Sequence, residues 1–309
     1  MGPPPPLVLR ALAVAAVAMT GCSLRAVATS ALADTFAASG SGYGSDEDPD
    51  LVREAVPFAL KTMEQILPEQ PRHRGLHVAL ARGFTQYAYA FVQQEADRVM
   101  DIDVAKGKEI EARSRRLLLR GRDYGLRGLE LLQPGIRALL LGGSDGDRKA
   151  ALARLERDAV PLLYWTGAAW GLAIAAGKDQ MSLVGDLAAV EALQRRALEL
   201  DEAWGEGAIH EFFIPFDAAR SEAEGGGPKQ AKAHLERAQA LSQNKHLGAV
   251  VSYAEAVCVA AQDKAEFTRL LEGVVTFDVH RFPEERLANV VAQRRARWLL
   301  GRTNDLFAQ

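Results

Sequence analysis

The chain has 309 residues, 48% hydrophobic and 25% charged, with a formal net charge of −3. That balance belongs to a globular protein long enough to bury a sizeable core; it excludes a disordered polyelectrolyte and offers no basic excess for nucleic acid. Two cysteines allow at most one disulfide, so the core has to hold the fold.

Met1 to Ser23 has a single charge at Arg10, an apolar run from Leu7 to Met19, and a small residue before Cys22. The run is shorter than the ~20 residues of a bilayer-spanning helix, which makes it a removable export signal. Met19-Thr20-Gly21-Cys22 resembles the lipobox of bacterial lipoproteins. On that resemblance residues 1–21 are the signal peptide and Cys22 becomes the acylated first residue, held on a membrane by ~0.8 kcal/mol per buried methylene. Residues 22–47 then form a tether, an Ala-rich amphipathic stretch followed by a Gly/Ser hinge. Gly40, Gly42 and Gly44 follow no strand, which argues against a dinucleotide fingerprint.

Asp48-Pro49 is a helix start, a capping carboxylate before a proline in the first turn. From there apolar residues recur at three and four, and no period-two run is bounded by turn residues. The pattern predicts helices over 50–67, 75–98, 104–132, 147–157, 161–177, 183–200, 203–222, 228–242, 247–261, 264–276 and 283–300. Pro57 and Pro215 fall inside two of these and should kink or break them. Ala231, Leu235, Ala238 and Leu241 match the second helix of a tetratricopeptide unit, and weaker matches follow Val56, Leu126 and Ala197. Their spacing is irregular against the roughly 34-residue period of a regular array. The expected fold is therefore all-α, with 48–309 one domain of degenerate tetratricopeptide-like stacked helical hairpins, an α-solenoid or superhelix. Unrelated helical hairpins would show similar apolar spacing.

Chemistry-bearing motifs are absent. His73 and His77 stand four apart but beside Arg72 and Arg74, a poor place for a metal. His210-Glu211 lacks the second histidine of a zincin, and Asp145-Gly146-Asp147 is too short for a calcium loop. Cys258, within Ala256 to Ala260, reads as a small buried apolar residue. The basic run Arg113–Arg127 reads as a solvated helix face, with an acidic docking partner as the alternative. No cofactor, metal or catalytic set is expected, and an enzyme is the weakest reading. The aromatic residues are more informative. Tyr164, Trp165 and Trp170 lie in a helix seeded with Gly167, Ala168 and Ala169, and His210 lies in a similar mixture over Gly207 to Phe213. Small residues admit a neighbouring helix, and the large rings beside them either fill the groove or line a ligand cleft.

Several segments resemble the TatT components of tetratricopeptide-associated TRAP transporters. They are Asp48 to Lys61, Gly83 to Val92, Tyr164 to Gly171, Gly207 to His210, Ala231 to Ala238 and Arg286 to Asn289, in order across nearly the whole mature chain. The resemblance implies a non-enzymatic periplasmic lipoprotein of helical fold, a homotrimer, and a pore or cleft through each body. It implies a TRAP-type solute-binding protein as partner and a small, apolar ligand, for which Tyr87, Tyr164, Trp165, Trp170 and His210 are the cleft candidates. Glu211-Phe-Phe-Ile-Pro215 departs from the glycine-containing turn expected after His210. By analogy with lipoprotein sorting, Ser23 favours the outer membrane. A generic helical-repeat lipoprotein that assembles envelope complexes is the alternative.

Overall fold

The computed structural model describes residues 31–35 and 43–308, and the described residues contain helices and no strand. The signal peptide, Cys22 and most of the tether lie outside them.

The helix starts follow local chemistry. Helix α1 (Pro49–Ile66) is capped by Asp48, whose carboxylate accepts from the Asp50 and Leu51 N–H groups, as the sequence predicts. α2 (Arg74–Tyr87) runs through a π-helical stretch (Ala88–Gln93) into α3 (Gln94–Met100). α4 (Val104–Leu132) starts on the Asp103 cap and ends before Pro134-Gly135, where Gly135 turns left-handed at φ 87°. Two short helices follow: α5 (Ile136–Gly142), which the periodicity did not predict, and α6 (Asp145–Leu152), the counterpart of the predicted 147–157, on a Ser144–Asp147 capping box. Next come α7 (Val160–Ala175), α8 (Met181–Val184) and α9 (Leu187–Leu200). A left-handed turn with Gly205, Glu206 and Gly207 all at positive φ delays the next helix, so α10 is Ala208–Ala218, several residues shorter than predicted. α11 (Pro228–Leu241), α12 (Gly248–Tyr253) with a π-helical stretch (Ala254–Cys258), α13 (Lys264–Thr276), α14 (Arg286–Gly301) and α15 (Thr303–Leu306) complete the chain. Pro57 and Pro215 break neither helix. Both stand on partly or fully exposed faces, where water can satisfy the carbonyl a proline leaves without its partner.

Packing proceeds in chain order. α1, α2 and α4 enclose a core with Leu76, Leu80, Phe84 and Tyr87. α4, α7, α9 and α10 share a second with Leu129, Trp170, Leu193 and Phe213. Helices α12, α13 and α14 enclose a third around Phe267 and Leu271. Between the last two, Ala231 and Ala238 of α11 meet Ile214 of α10 and Ala249 of α12. A Cβ on Gly207, whose φ is +98°, would stand 3.0 Å from the Ala238 Cα, so this hairpin closes only with small residues.

The last long helix returns to the first. The Leu287 N–H donates to Gly44 O at 2.9 Å, Arg294 pairs with Asp50 at 2.9 Å, and Arg295 pairs with Asp97 of α3 at 2.6 Å. Trp298 Nε1 donates to Asp101 at 3.1 Å, and Arg302 stands 3.4 Å from the same carboxylate. The succession of helices is thereby closed on itself, leaving an inner face and an outer one.

Candidate functional site

Helix α7 divides its residues between the core and the inner face. Trp170 is fully buried, its Nε1 donating to Asp186 at 3.1 Å and its ring under Arg122 at 5.0 Å. Tyr164, Trp165, Gly171 and Leu172 are only partly covered, and the two pairs, seven residues or about two turns apart, lie on one side of the helix. α7 can sit so close to α4 because a Cβ on Gly125 would lie 2.1 Å from Thr166 Oγ1.

Three rings gather at the start of that face. The Tyr164 and Trp165 centroids are 4.9 Å apart, and Trp204, from the turn before α10, lies 4.7 Å from Tyr164 and 6.4 Å from Trp165. Edge and tilted contacts of this kind suit the aromatic quadrupole and hold a shaped apolar wall. Phe212 of α10 extends the wall, its ring 3.0 Å from where a Cβ of Gly171 would be. Beside it, Glu211 lies against Gly248 of α12, with Oε1 2.3 Å from the Cβ position, so a larger residue there would push the Glu211 carboxyl aside. Burial raises the Glu211 carboxyl above its ordinary range, with Glu285 adding to the rise and His246 opposing it.

Both π-helical stretches place a side chain toward the same space. Tyr89 exposes 40% of its surface, yet burial pushes its phenol up to about 12, with Glu255, Arg295 and Glu211 among the charges it senses. Tyr89 therefore stands partly exposed within reach of charges on α10, the second π-helical stretch and α14. Burial likewise raises the Tyr164 phenol, and Glu211 is the charge it senses. Glu255 of the second stretch accepts from Arg295 Nε at 3.2 Å. Arg295 thus joins α3, α12 and α14 by pairing with both Asp97 and Glu255, and those carboxylates raise its pKa against the effect of burial. Extra residues in a helical turn are a recurrent way to re-aim side chains at functional sites. Arg82 stands two turns before Tyr89 on the partly open side of α2; burial lowers its pKa, and it makes no ion pair or side-chain hydrogen bond among the described residues.

The five residues singled out from sequence separate here. Tyr164 and Trp165 come together on the inner face. Tyr87 is 8% exposed and packs on Phe91 within the core of α1, α2 and α4. Trp170 fills the neighbouring core. His210, 5% exposed, belongs to a polar chain between α10 and α11. Its Nε2 is 3.2 Å from Glu202, its Nδ1 is 2.8 Å from His234 Nδ1, and His234 Nε2 is 3.3 Å from Asp217. Only one proton fits between two Nδ1 atoms at that distance. Arg237 pairs with both oxygens of Glu202 and holds that carboxyl down at about 2, so His210 donates Nε2–H to it and accepts at Nδ1 from His234. Burial, with His210 adding to it, depresses His234 to about 4, and burial raises Asp217, whose carboxyl lies beside His234 Nε2. The chain is a structural clasp between two helices.

Trp204, Tyr89, Glu211 and Arg295 escape a linear reading. Trp204 stands among turn residues, and the other three owe their direction to neighbours far away in sequence. Chemically, the inner face offers an aromatic wall, one carboxylate without a hydrogen-bond partner among the described residues, and paired charges behind it.

A family model described as the TRAP transporter T-component matches residues 45–307. An uncharacterized protein of Treponema pallidum (strain Nichols) is 31% identical over 304 residues, covering 93% of either chain. No helix among the described residues is long and apolar enough to cross a membrane.

Proposed function

Because this chain belongs to the TRAP transporter T-component family, we propose that it is a non-enzymatic, lipid-anchored accessory of such a transporter on the periplasmic side of the envelope. In this reading Cys22 carries the anchor, preferably in the outer membrane, residues 22–47 are the tether, and residues 48–309 form the working body. The body assembles as a trimer and engages a TRAP-type solute-binding protein, and its inner face shelters a small apolar ligand during exchange. The observation that supports the reading is the partly covered aromatic cluster of Tyr164, Trp165 and Trp204, with Glu211 sensed by both Tyr164 and Tyr89. Partly covered rings are what an apolar solute requires, since each Å² of apolar surface withdrawn from water contributes about 25 cal/mol.

The test is affinity capture with the Cys22→Ala form, followed by mass spectrometry of bound proteins and small molecules. A solute-binding protein of TRAP type in the eluate, together with a trimer by sedimentation, supports the proposal. A monomer at micromolar concentration that retains no such protein overturns it. Trp165→Ala should weaken retention of a co-purified apolar solute by about ten-fold while leaving the helical signal unchanged, on the scale of one large ring contact.

A further inference from the structure

A concave site elsewhere in the molecule shares no lining residue with the aromatic wall. It is a cleft of about 510 Å³ between the end of α1 with the turn at Pro68 and Pro71, His77 of α2, the last two turns of α4, and Arg137 at the start of α5. That volume is within the usual range for small-molecule sites.

Its charges do not cancel locally. Glu64 is engaged by three donors, Lys61 at 2.6 Å, the Tyr124 hydroxyl at 2.6 Å and Arg120 at 2.5 Å, and these hold its carboxyl below the usual range despite burial. Glu130 is equally committed, accepting the backbone N–H groups of Gly135 at 2.6 Å and Arg137 at 3.1 Å, where it caps α5. With both acids taken, Arg127 and Arg137 are left facing the cleft, and neither guanidinium makes an ion pair or hydrogen bond among the described residues. Arg127 lies over the Tyr124 ring at 5.2 Å, which orients it without neutralising it. His77 contributes no negative charge. Its Nε2–H donates to Pro71 O at 3.0 Å, and burial, with Arg127 nearby, lowers its pKa. Between the arginines the surface is apolar, from Leu67, Pro68, Pro71 and Leu131.

From this juxtaposition we propose that the cleft is a binding site for a small monocarboxylate with an apolar body, its carboxylate held by Arg127 and Arg137 and its chain lying on the proline and leucine floor. Guanidinium groups suit a carboxylate because the planar fork matches its two oxygens. A metal ion is repelled by the same pair, and an inorganic anion would leave the apolar floor unused.

The probe is decanoate, titrated calorimetrically into the full chain carrying Cys22→Ala, with decanol as the uncharged counterpart. Decanoate should saturate one site per chain and bind at least ~10-fold more tightly than decanol, the worth of one charge-assisted hydrogen bond. Arg127→Gln and Arg137→Gln, both at exposed positions, should each weaken decanoate by about 5- to 10-fold with an unchanged melting temperature. Trp165→Ala on the inner face should leave decanoate binding as it is. The proposal is overturned if decanoate does not bind, if decanol binds equally well, or if Trp165→Ala abolishes binding that the two arginine variants retain. The last result would move the ligand to the inner face and leave the reading of that face standing.

Discussion

The contact of α4 with α2 and α7 and the seam where α14 meets α1 and α3 are two different solutions to holding helices together. In the first, backbones meet through glycines. Gly121, Gly125 and Gly128 form one stripe on α4, and side chains there would strike Ala81, Thr166 and Leu162 respectively. In the second, one helix reaches Asp50, Asp97, Asp101 and Glu255 through Arg294, Arg295, Trp298 and Arg302. The first contact depends on shape and has no alternative arrangement. The second depends on charge, most of it at the surface, where water can replace each partner. The difference locates flexibility: the charged seam can loosen, whereas the glycine stripe fixes how α2, α4 and α7 fit together.

Gly125→Leu should be the most damaging change, about 3 kcal/mol or more, because it drives a side chain into Thr166 on a helix that cannot back away. Chemical denaturation would measure it, and a loss below 1 kcal/mol would mean that α4 and α7 can separate after all. Arg295→Ala comes next at about 2–3 kcal/mol, since it leaves Asp97 and Glu255 facing each other unpaired; partial exposure of Glu255, 36%, keeps it at the low end for a buried pair. Hydrogen exchange should then quicken in α14 and not in α4, and uniform quickening would erase the distinction between the two contacts.

The clasp between α10 and α11 gives a pH-dependent counterpart. His234 has its folded pKa depressed to about 4 from the ordinary 6.5, so the fold prefers the neutral ring. Stability from this group is fully present above pH 6.5 and is lost as pH falls toward 4, on the order of 2 kcal/mol, with no further change from it below. His234→Gln should flatten that part of the melting-temperature profile, and an unaltered profile would assign the acid sensitivity elsewhere. The smallest effect belongs to Arg294→Ala. Its pair with Asp50 is 40% and 68% exposed, so removal should cost under about 1 kcal/mol and less still at high salt.

Much of the helical pattern was legible because burial of one face forces apolar residues into a 3.6-residue period. Asp48, Asp103 and Asp263 mark their helix starts because a carboxylate satisfies N–H groups within its own turn. The two prolines that interrupt no helix and the delayed start of α10 show the limit of that reading. Proline is tolerated on a wetted helix face, and Glu206 takes a positive φ that no residue-type rule anticipates. Within the candidate site, Tyr164 and Trp165 could be found as rings beside small residues, but the same signal also marked Trp170. A helix surrounded by protein is apolar all round, so composition cannot say which ring meets a neighbour and which meets a cavity.

Taken alone, then, the sequence determined the all-α class, most helix boundaries, and the family, because these depend on local caps, periodicity and ordered motifs. Tertiary structure decided that Tyr89, Trp204 and Glu211 share a space with Tyr164, that His210 clasps a helix pair, and that Arg295 closes the molecule. Those outcomes depend on distances between residues far apart in the chain, such as Arg295 and Asp97, 198 positions apart. Only the packing of whole helices, with glycines at the close approaches and extra residues in two π-helical stretches, sets them.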